Sequence, residues 1–386
     1  MKIFIAHNRY QQAGGEDNVV EAETNLLRNN GHEVYLWAVD NKDLPGGFKG
    51  KVETALNTTY SPRSKLRARD LFREFRPDVV HVHNFFPQIS PSIFDACRDE
   101  SVPVVQTLHN YRLICPGAML MRNGSICEKC ITGSPYNAAW HSCYRGSRLG
   151  SFVVAHMVAY HRKAGTWADK IDRFVALTEF AKSKFVEAGF PSDRIAVKPN
   201  FIVDPLASGG VAKSHTDQFG LFVGRISEEK GVTTLLNAWA RLEGKWQLKM
   251  AGSGPLEALL RERVGVEPLG RQNSTEVSQL MRAAHFLVLP SEWYEGFPLV
   301  LVEAFAHGLP VLASRLGSMA DVIEDGVTGL LFEPGNSDDM AQKARWLFEN
   351  PEQSRLFGEN ARRRFLEKYT AEINYEQLMK IYRSVC

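Results

Sequence analysis

Two of the glutamates in the segment "SEWYEGFPLVLVEAFAHG", Glu295 and Glu303, have seven residues between them. Glu295 falls in a loop after the apolar run "HFLVLPS". Pro298 stands where a helix would start, at the position that tolerates proline best, and Gly308 stops that helix. Glu303 then lies about 8 Å along the axis at 1.5 Å per residue, so both carboxylates can face one crevice. The helix N-terminus between them carries partial positive charge and free N–H groups, which suits a phosphate. Each carboxylate can accept hydrogen bonds from vicinal hydroxyls. The arrangement suits a ligand with phosphate in the middle and a sugar on each side, which describes a sugar nucleotide. The competing reading is a loop glutamate and a solvated helix glutamate. The apolar neighbours Val302, Ala304 and Phe305 weaken it for Glu303, because a buried charge needs a partner.

A diphosphate needs cations or a metal. "FVGRISEEKG" ends a strand at Gly224 and sets Arg225 and Lys230 on either side of a short turn, where both could reach phosphate; the alternative is surface cations beside Glu228 and Glu229. No two aspartates form an Asp-x-Asp pair, so these cations, not a divalent metal, are expected to neutralise the leaving group. "AGSGPLE" supplies Gly252 and Gly254. Glu257 stands where a dinucleotide fingerprint would have its third glycine, which argues against a nicotinamide site and leaves a close backbone approach to ligand.

These residues must be positioned by a scaffold, and the chain reads as alternating strands and helices. "KIFIAH", "HEVYLWAV", "PDVVHVHN", "VPVVQTLHN" and "RFVALT" are strands of a first unit. "FGLFVGR", "WQLKMAG", "HFLVLPS" and "PVLAS" are strands of a second. Such alternation predicts parallel sheets covered on both faces, an α/β fold with two doubly wound, Rossmann-like domains facing a central cleft. The 386 residues exceed one ordinary core. The expected division is 1–205, a linker at 206–217 poor in large apolar residues, 218–365, and a C-terminal helix at 366–386 packing back on the first domain. Doubly wound sheets bind ligands outside the carboxyl ends of their strands.

A net charge of +2 argues against nucleic-acid binding over the whole surface. The opening run "MKIFIAHN" is too short for a secretory signal. No run reaches the roughly 18 apolar residues of a membrane span; "SFVVAHMVAYH" is interrupted by His156. A cytoplasmic location is expected. Cys115, Cys127, Cys130 and Cys143 follow the spacing C-x11-C-x2-C-x12-C within an insertion at about 111–146. They are read either as a structural zinc staple, with His141 as a substitute ligand, or as free thiols in a reducing compartment. Cys97 and Cys386 look unrelated. Residues 61–76, "SPRSKLRARDLFREFR", read either as a basic amphipathic helix docking on an anionic membrane surface or as a solvated helix held by its Leu and Phe face.

With these motifs laid out, the chain resembles GT-B glycosyltransferases of the large retaining family 4. The match is strongest over "FVGRISEEKG", "AGSGP" and "SEWYEGFPLVLVEAFAHGLPVLAS", and it continues in "EDGVTGLLFEPGN". The resemblance implies that Glu303 binds the ribose hydroxyls. It places Glu295 near the transferred sugar, beside the backbone of Gly296, Phe297 and Pro298, and assigns the diphosphate to Arg225 and Lys230. It also implies that Gly14 and Gly15 of "AGGED" approach donor phosphate and acceptor, and that His109 of "TLHNY" contacts the donor sugar. Many relatives follow that histidine with Asp; here it is Asn110. His81 and His83 read as structural histidines of the strand "HVHN".

The expected function is metal-independent transfer of a sugar, with retention, from a nucleotide-diphosphate donor to a glycan or lipid-linked glycan hydroxyl. Cell-surface polysaccharide or glycolipid assembly is the expected setting. A sugar-nucleotide epimerase or a non-catalytic sugar-nucleotide binding protein are the alternatives.

Overall fold

The computed structural model describes all residues except 11–13, 45 and 208–217; the expected linker therefore lies, from 208 onward, outside the described residues. The chain divides into two compact units. Unit 1 comprises Met1–Arg122, Cys127–Asn200 and Asn374–Cys386, and unit 2 comprises Asn123–Ile126 and Phe201–Ile373.

Unit 1 is built on β1 (Lys2–Arg9), β2 (Glu33–Asp40), β3 (Val79–Asn84), β4 (Val104–Leu108), β7 (Arg173–Ala176) and β8 (Ile195–Val197), in the order β2-β1-β3-β4-β7-β8. A two-stranded ribbon, β5 (Met121–Arg122) and β6 (Ser125–Ile126), lies in the cysteine-rich insertion. Unit 2 is built on β9 (Phe219–Val223), β10 (Gln247–Ala251), β11 (Val266–Gly270), β12 (Phe286–Leu289), β13 (Val311–Ser314) and β14 (Gly329–Phe332), in the order β11-β10-β9-β12-β13-β14. Pairing in both six-stranded sheets is parallel throughout. In unit 2 the chain winds outward from β9 to β11 and then returns to β12 on the other side of β9. The β9/β12 junction is therefore the switch point where doubly wound sheets take ligands.

Both faces of the unit 2 sheet are covered, and alternate residues sort cleanly between them. Phe222, Met250, Phe286, Val288, Leu312 and Phe332 belong to one core. Leu221, Leu287, Leu289, Val311, Ala313 and Leu331 belong to the other. Gly220 admits Trp239: a Cβ there would stand 2.7 Å from the indole Cζ2. In unit 1, Ile3, Ile5, Val79, Val105 and Val175 share a core with Leu378, Met379, Ile381 and Tyr382 of the helix Ala371–Arg383. Residues 366–373 stay with unit 2, because Phe365 and Tyr369 are buried in its core.

Besides the short ribbon β5–β6, three strands of the six-stranded sheets escape a periodicity reading. β8, β11 and β14 are short edge or near-edge strands, and the exposed residues and proline of β11 break its apolar run. The helix Arg148–Lys163, which contains "SFVVAHMVAYH", is short of a membrane span, and no helix among the described residues is long and apolar enough to cross one.

The basic segment 61–76 forms the helix Pro62–Phe75, with Ser61 capping Ser64 N and Arg76 closing it in the left-handed region. Ala68, Leu71 and Phe72 are buried. Much of its positive charge is already matched: Lys65 and Arg69 pair with Asp99, Arg69 and Arg73 with Glu100, and Arg63 with Glu53.

Candidate functional site

In unit 2 the switch point gathers three loops. The β9 loop carries Arg225 and Lys230, the β10 loop carries Gly252 and Gly254, and the β12 loop carries Glu295. They are held backbone to backbone. Gly224 N donates to Ala251 O and Ile226 N to Ser253 O, both at 3.0 Å, and Glu292 N donates to Glu229 O at 3.0 Å. A Cβ on Gly252 would lie 1.8 Å from Gly224 O, and one on Gly231 1.9 Å from Pro290 O. Both glycines also sit at positive φ, +151° and +67°, where side chains are strained. A Cβ on Gly254 would reach Ile226 O at 2.3 Å. Gly252 and Gly254 thus have a packing role of their own: they let the β10 loop close against the turn that carries Arg225.

Lys230 Nζ donates to Glu295 Oε1 at 2.6 Å, and Ser291 Oγ donates to the same oxygen at 2.6 Å. Glu295 is buried, so this pairing is what makes its charge tolerable. Lys230 also lies over the Trp293 ring, 5.7 Å from its centroid. Arg225 is exposed. Pro298 is the N-cap of the helix Leu299–Ala306, one residue earlier than proline's favoured first position. Gly296 O accepts a hydrogen bond from Ser318 Oγ at 3.0 Å, and Phe297 packs against the core. Glu303 is half-buried between Val302 and Ala304. Burial raises its pKa above the ordinary value, with no charged neighbour among the described residues to offset it. The two glutamates thus differ: among the described residues Glu295 is paired with a cation and Glu303 is not.

In unit 1 the first turn of the helix Gly15–Asn29 follows β1. Gly14 is its extended N-cap, and Gly14 N donates to Asp17 Oδ2 at 3.0 Å. Asp17 Oδ1 meets His7 Nε2 at 2.8 Å. Tyr10 donates to Glu16 Oε2 at 2.9 Å. Burial, with Asp17 adding to it, pushes the Glu16 carboxyl up to about 8 against the lowering pull of Tyr10 and Arg112. Asn110 donates to the Tyr10 hydroxyl at 3.2 Å and accepts from Arg112 N at 3.0 Å, a loop-holding role.

His109 follows β4. Its Nε2 lies 2.9 Å from His83 Nδ1, and the rings stack with centroids 5.2 Å apart. His83 Nε2 and His81 Nδ1 each lie 3.1 Å from Glu23 Oε1. Lys198 Nζ donates to Glu23 Oε2 and to Asn374 Oδ1, both at 3.1 Å. Burial would raise Glu23, but the Lys198 ammonium and the two histidines outweigh it and hold the carboxyl well below its usual range. Burial lowers His83 to about 3 and His109 well below the ordinary histidine value, so both rings are neutral at neutral pH. Sequence reading missed Glu23 and Lys198. A charged residue within a helix or after a short edge strand carries no local sign that it is buried.

Cys115, Cys127, Cys130 and Cys143 have free thiols. They lie close enough that burial and then the other three sulfurs push Cys130 up to about 12. A four-coordinate zinc holds its sulfurs at about 2.3 Å and so draws them close together. Among the described residues, the group of three or more ligand atoms within 4.8 Å of one another is Glu23, His81 and His83. The four sulfurs are neighbours but are not among the groups whose ligand atoms all lie within 4.8 Å of one another, and His141 Nδ1 faces Arg122 Nη1 at 3.2 Å.

Residues 13–204 match the family described as Glycosyltransferase Family 4, and residues 208–364 match Glycosyl transferases group 1. N-acetyl-alpha-D-glucosaminyl L-malate synthase of Bacillus anthracis is 30% identical, with 100% of this chain and 98% of that protein covered. MMP alpha-(1->4)-mannosyltransferase of Mycolicibacterium hassiacum is 34% identical over 40% of this chain and 39% of its own length. An uncharacterized glycosyltransferase of Methanocaldococcus jannaschii is 35% identical over 43% of this chain and 48% of its own. The matched region thus spans under half the length of these last two relatives. Among solved structures, HepE of Anabaena in complex with UDP superposes with a TM-score of 0.72 at 17% identity, covering 100% of both chains. Sucrose-phosphate synthase of Thermosynechococcus elongatus gives 0.73 at 18% identity, covering 99% of this chain and 98% of that one. The shared fold and the full-length relative together mean that the chain belongs to glycosyltransferase family 4 and has the GT-B fold.

Proposed function

We propose that this glycosyltransferase moves a sugar, with retention and without a catalytic metal, from a nucleotide-diphosphate donor to a hydroxyl of a glycan or lipid-linked glycan. The observation that carries the reading is the division of labour at the β9/β12 switch point. Lys230 is locked onto buried Glu295, while Glu303 is half-buried and, among the described residues, lacks a charged neighbour. In this reading Glu303 takes the ribose hydroxyls, and Arg225 and Lys230 take the diphosphate. Glu295 offers Oε2 to the transferred sugar, its Oε1 being engaged by Lys230 and Ser291. The backbone of Gly296, Phe297 and Pro298 lies alongside. Gly14 and Gly15 of unit 1 approach phosphate and acceptor, and neutral His109 positions the sugar.

The sugar–phosphate bond breaks with oxocarbenium-like charge, and the diphosphate gains the electron pair. Fixed cations that stabilise this developing charge are the main catalytic device. The acceptor oxygen bonds to the anomeric carbon on the face the diphosphate leaves, and its proton passes to a phosphate oxygen. Arg225 and Lys230 fill the role that a metal plays in other transferases.

The deciding experiment combines a nucleotide-sugar panel with an acceptor and a chelator. Acceptor-dependent nucleoside diphosphate release, with the donor's anomeric configuration in the product, supports the reading. Loss of all turnover in chelator refutes metal independence, inversion refutes retention, and binding without turnover leaves only a sugar-nucleotide binding protein.

A cytoplasmic enzyme making cell-surface polysaccharide or glycolipid would dock on an anionic membrane surface. The matched charges on 61–76 leave Arg67, Arg76 and exposed Leu66 for that purpose. Trp140 of the insertion and Leu149 and Phe152 of the helix Arg148–Lys163 are also exposed and apolar. Flotation on acidic liposomes tests this, and lipid-independent behaviour refutes it. A structural zinc on the four cysteines would need their sulfurs to draw together; metal content of the purified protein tests it.

A further inference from the structure

The internal network behind His109 determines which of its ring nitrogens carries the proton. We propose that Glu23, anchored by Lys198, acts through His83 as a positioning residue that keeps His109 in the Nε2–H tautomer. His109 Nδ1 is then a bare acceptor for a hydroxyl of the bound sugar. The use of that acceptor rests on the glycosyl-transfer reading above; the tautomer does not.

Lys198 and Glu23 are both buried, and the ammonium donates to Glu23 Oε2 at 3.1 Å. The carboxylate is therefore ionised and its Oε1 turns to the histidines. His83 Nε2 lies 3.1 Å from that oxygen. The two atoms do not meet hydrogen-bond geometry and the contact is electrostatic, yet the alternative tautomer would set a nitrogen lone pair against a carboxylate oxygen at the same distance, which is repulsive. His83 Nε2 thus bears the proton, and a neutral imidazole has only one. His83 Nδ1 is then an acceptor, and the 2.9 Å contact to His109 is filled by His109 Nε2–H. The single proton of His109 is committed, and Nδ1 is left with its lone pair. His81 does not compete for this path: its Nε2 meets Thr107 Oγ1 at 2.7 Å, and its Nδ1 meets the Tyr382 hydroxyl at 2.7 Å as well as Glu23 Oε1. His7 is engaged by Asp17.

Glu23, His81 and His83 also have the spacing of a metal triad. Lys198 argues against that use, because its ammonium already supplies the positive charge at the same carboxylate, and a second cation beside it would be repelled. The two readings predict opposite tautomers. A metal on His83 Nε2 would force the proton to Nδ1, and His109 Nε2 would become the acceptor.

The test uses full-length protein labelled with nitrogen-15 histidine. Long-range proton–nitrogen correlations distinguish protonated from bare ring nitrogens, and His109→Gln identifies the His109 signals. The expected result is Nε2–H with bare Nδ1 for both His83 and His109 near neutral pH; Nδ1–H on His109, or metal bound at the triad, overturns the proposal. In kinetics, Glu23→Gln should lower kcat by about tenfold, the worth of roughly one misdirected hydrogen bond, with the KM for donor changed less than kcat. The pair Glu23→Gln with Lys198→Met removes both buried charges together and guards against misfolding of the single variant; it should show the same loss. Unchanged kcat in the folded double variant refutes the proposal. A wild-type protein with the expected tautomer but no transfer activity refutes only the functional reading.

Discussion

Replacing Glu303 separates a ligand-binding carboxylate from a structural one. Burial raises its pKa above the ordinary value, with no charged neighbour among the described residues offsetting the shift. A raised carboxyl means that the folded state holds a proton more readily than the unfolded chain. The stabilisation this provides is full below the unfolded value and is lost as pH rises through the folded value. At neutral pH the ionised Glu303 is thus a cost to the ligand-free fold, and Glu303→Gln should leave the melting temperature unchanged or raise it. Binding should respond in the opposite direction. Two ribose hydroxyls donating to a carboxylate contribute about 1.5 kcal/mol each, near the low end for charged hydrogen bonds. Their loss in Glu303→Ala is about 3 kcal/mol, or about 150-fold in nucleotide affinity. Calorimetric titration with a panel of nucleoside diphosphates at fixed pH and salt reads the affinity, and thermal melts of the ligand-free variants read the fold. Unchanged affinity in Glu303→Ala would refute the ribose assignment. A melting temperature falling sharply in Glu303→Gln would show that the carboxylate has a structural partner.

Lys230→Met should reduce turnover by about 100-fold or more if Lys230 stabilises the leaving diphosphate, and it should also lower stability, because Glu295 would remain buried with Ser291 alone; adding Glu295→Gln should recover stability without recovering turnover, as melts and initial rates would show. Gly252→Ala should lower the melting temperature severely or prevent folding, since its Cβ would meet Gly224 O at 1.8 Å; Gly14→Ala meets nothing within 4 Å and should stay within about 0.5 kcal/mol of wild type. The Glu16 carboxyl, raised to about 8 chiefly by burial, is neutral when folded at pH 7. The folded state therefore holds an extra proton between about 4.5 and about 8, and stability should fall as pH rises through that window. Glu16→Gln should flatten the fall in a pH series of melts.

Local pattern made much of the scaffold readable. Runs such as "KIFIAH" and "HFLVLPS" are apolar on both faces, which only a strand covered on two sides can use, and their alternation with helical segments leads to two doubly wound sheets. The edge strands β8, β11 and β14 are less legible because an edge is stabilised by one neighbour and needs no long apolar run. For the basic segment 61–76, charge counting left open a free cationic face and a solvated helix held by its Leu and Phe face. The partners Asp99 and Glu100 come from the adjacent helix Ser92–Asp99 and its cap, and only packing could bring them there. The four cysteines have a metal-like order in the sequence, yet ligand spacing depends on how the insertion folds around them.

By itself, the sequence determined the strand–helix periodicity and the motif residues Arg225, Lys230, Glu295 and Glu303, because backbone period and loop chemistry are local properties. Tertiary structure alone decided which carboxylate is already paired. Lys230 and Glu295 lie 65 positions apart and meet because β9 and β12 are neighbours in the sheet. It likewise brought Lys198 to Glu23 across 175 positions and set His83 behind His109 by pairing β3 with β4. Side-chain charge and tautomer depend on those neighbours, and strand order, which is not a local property, chooses them.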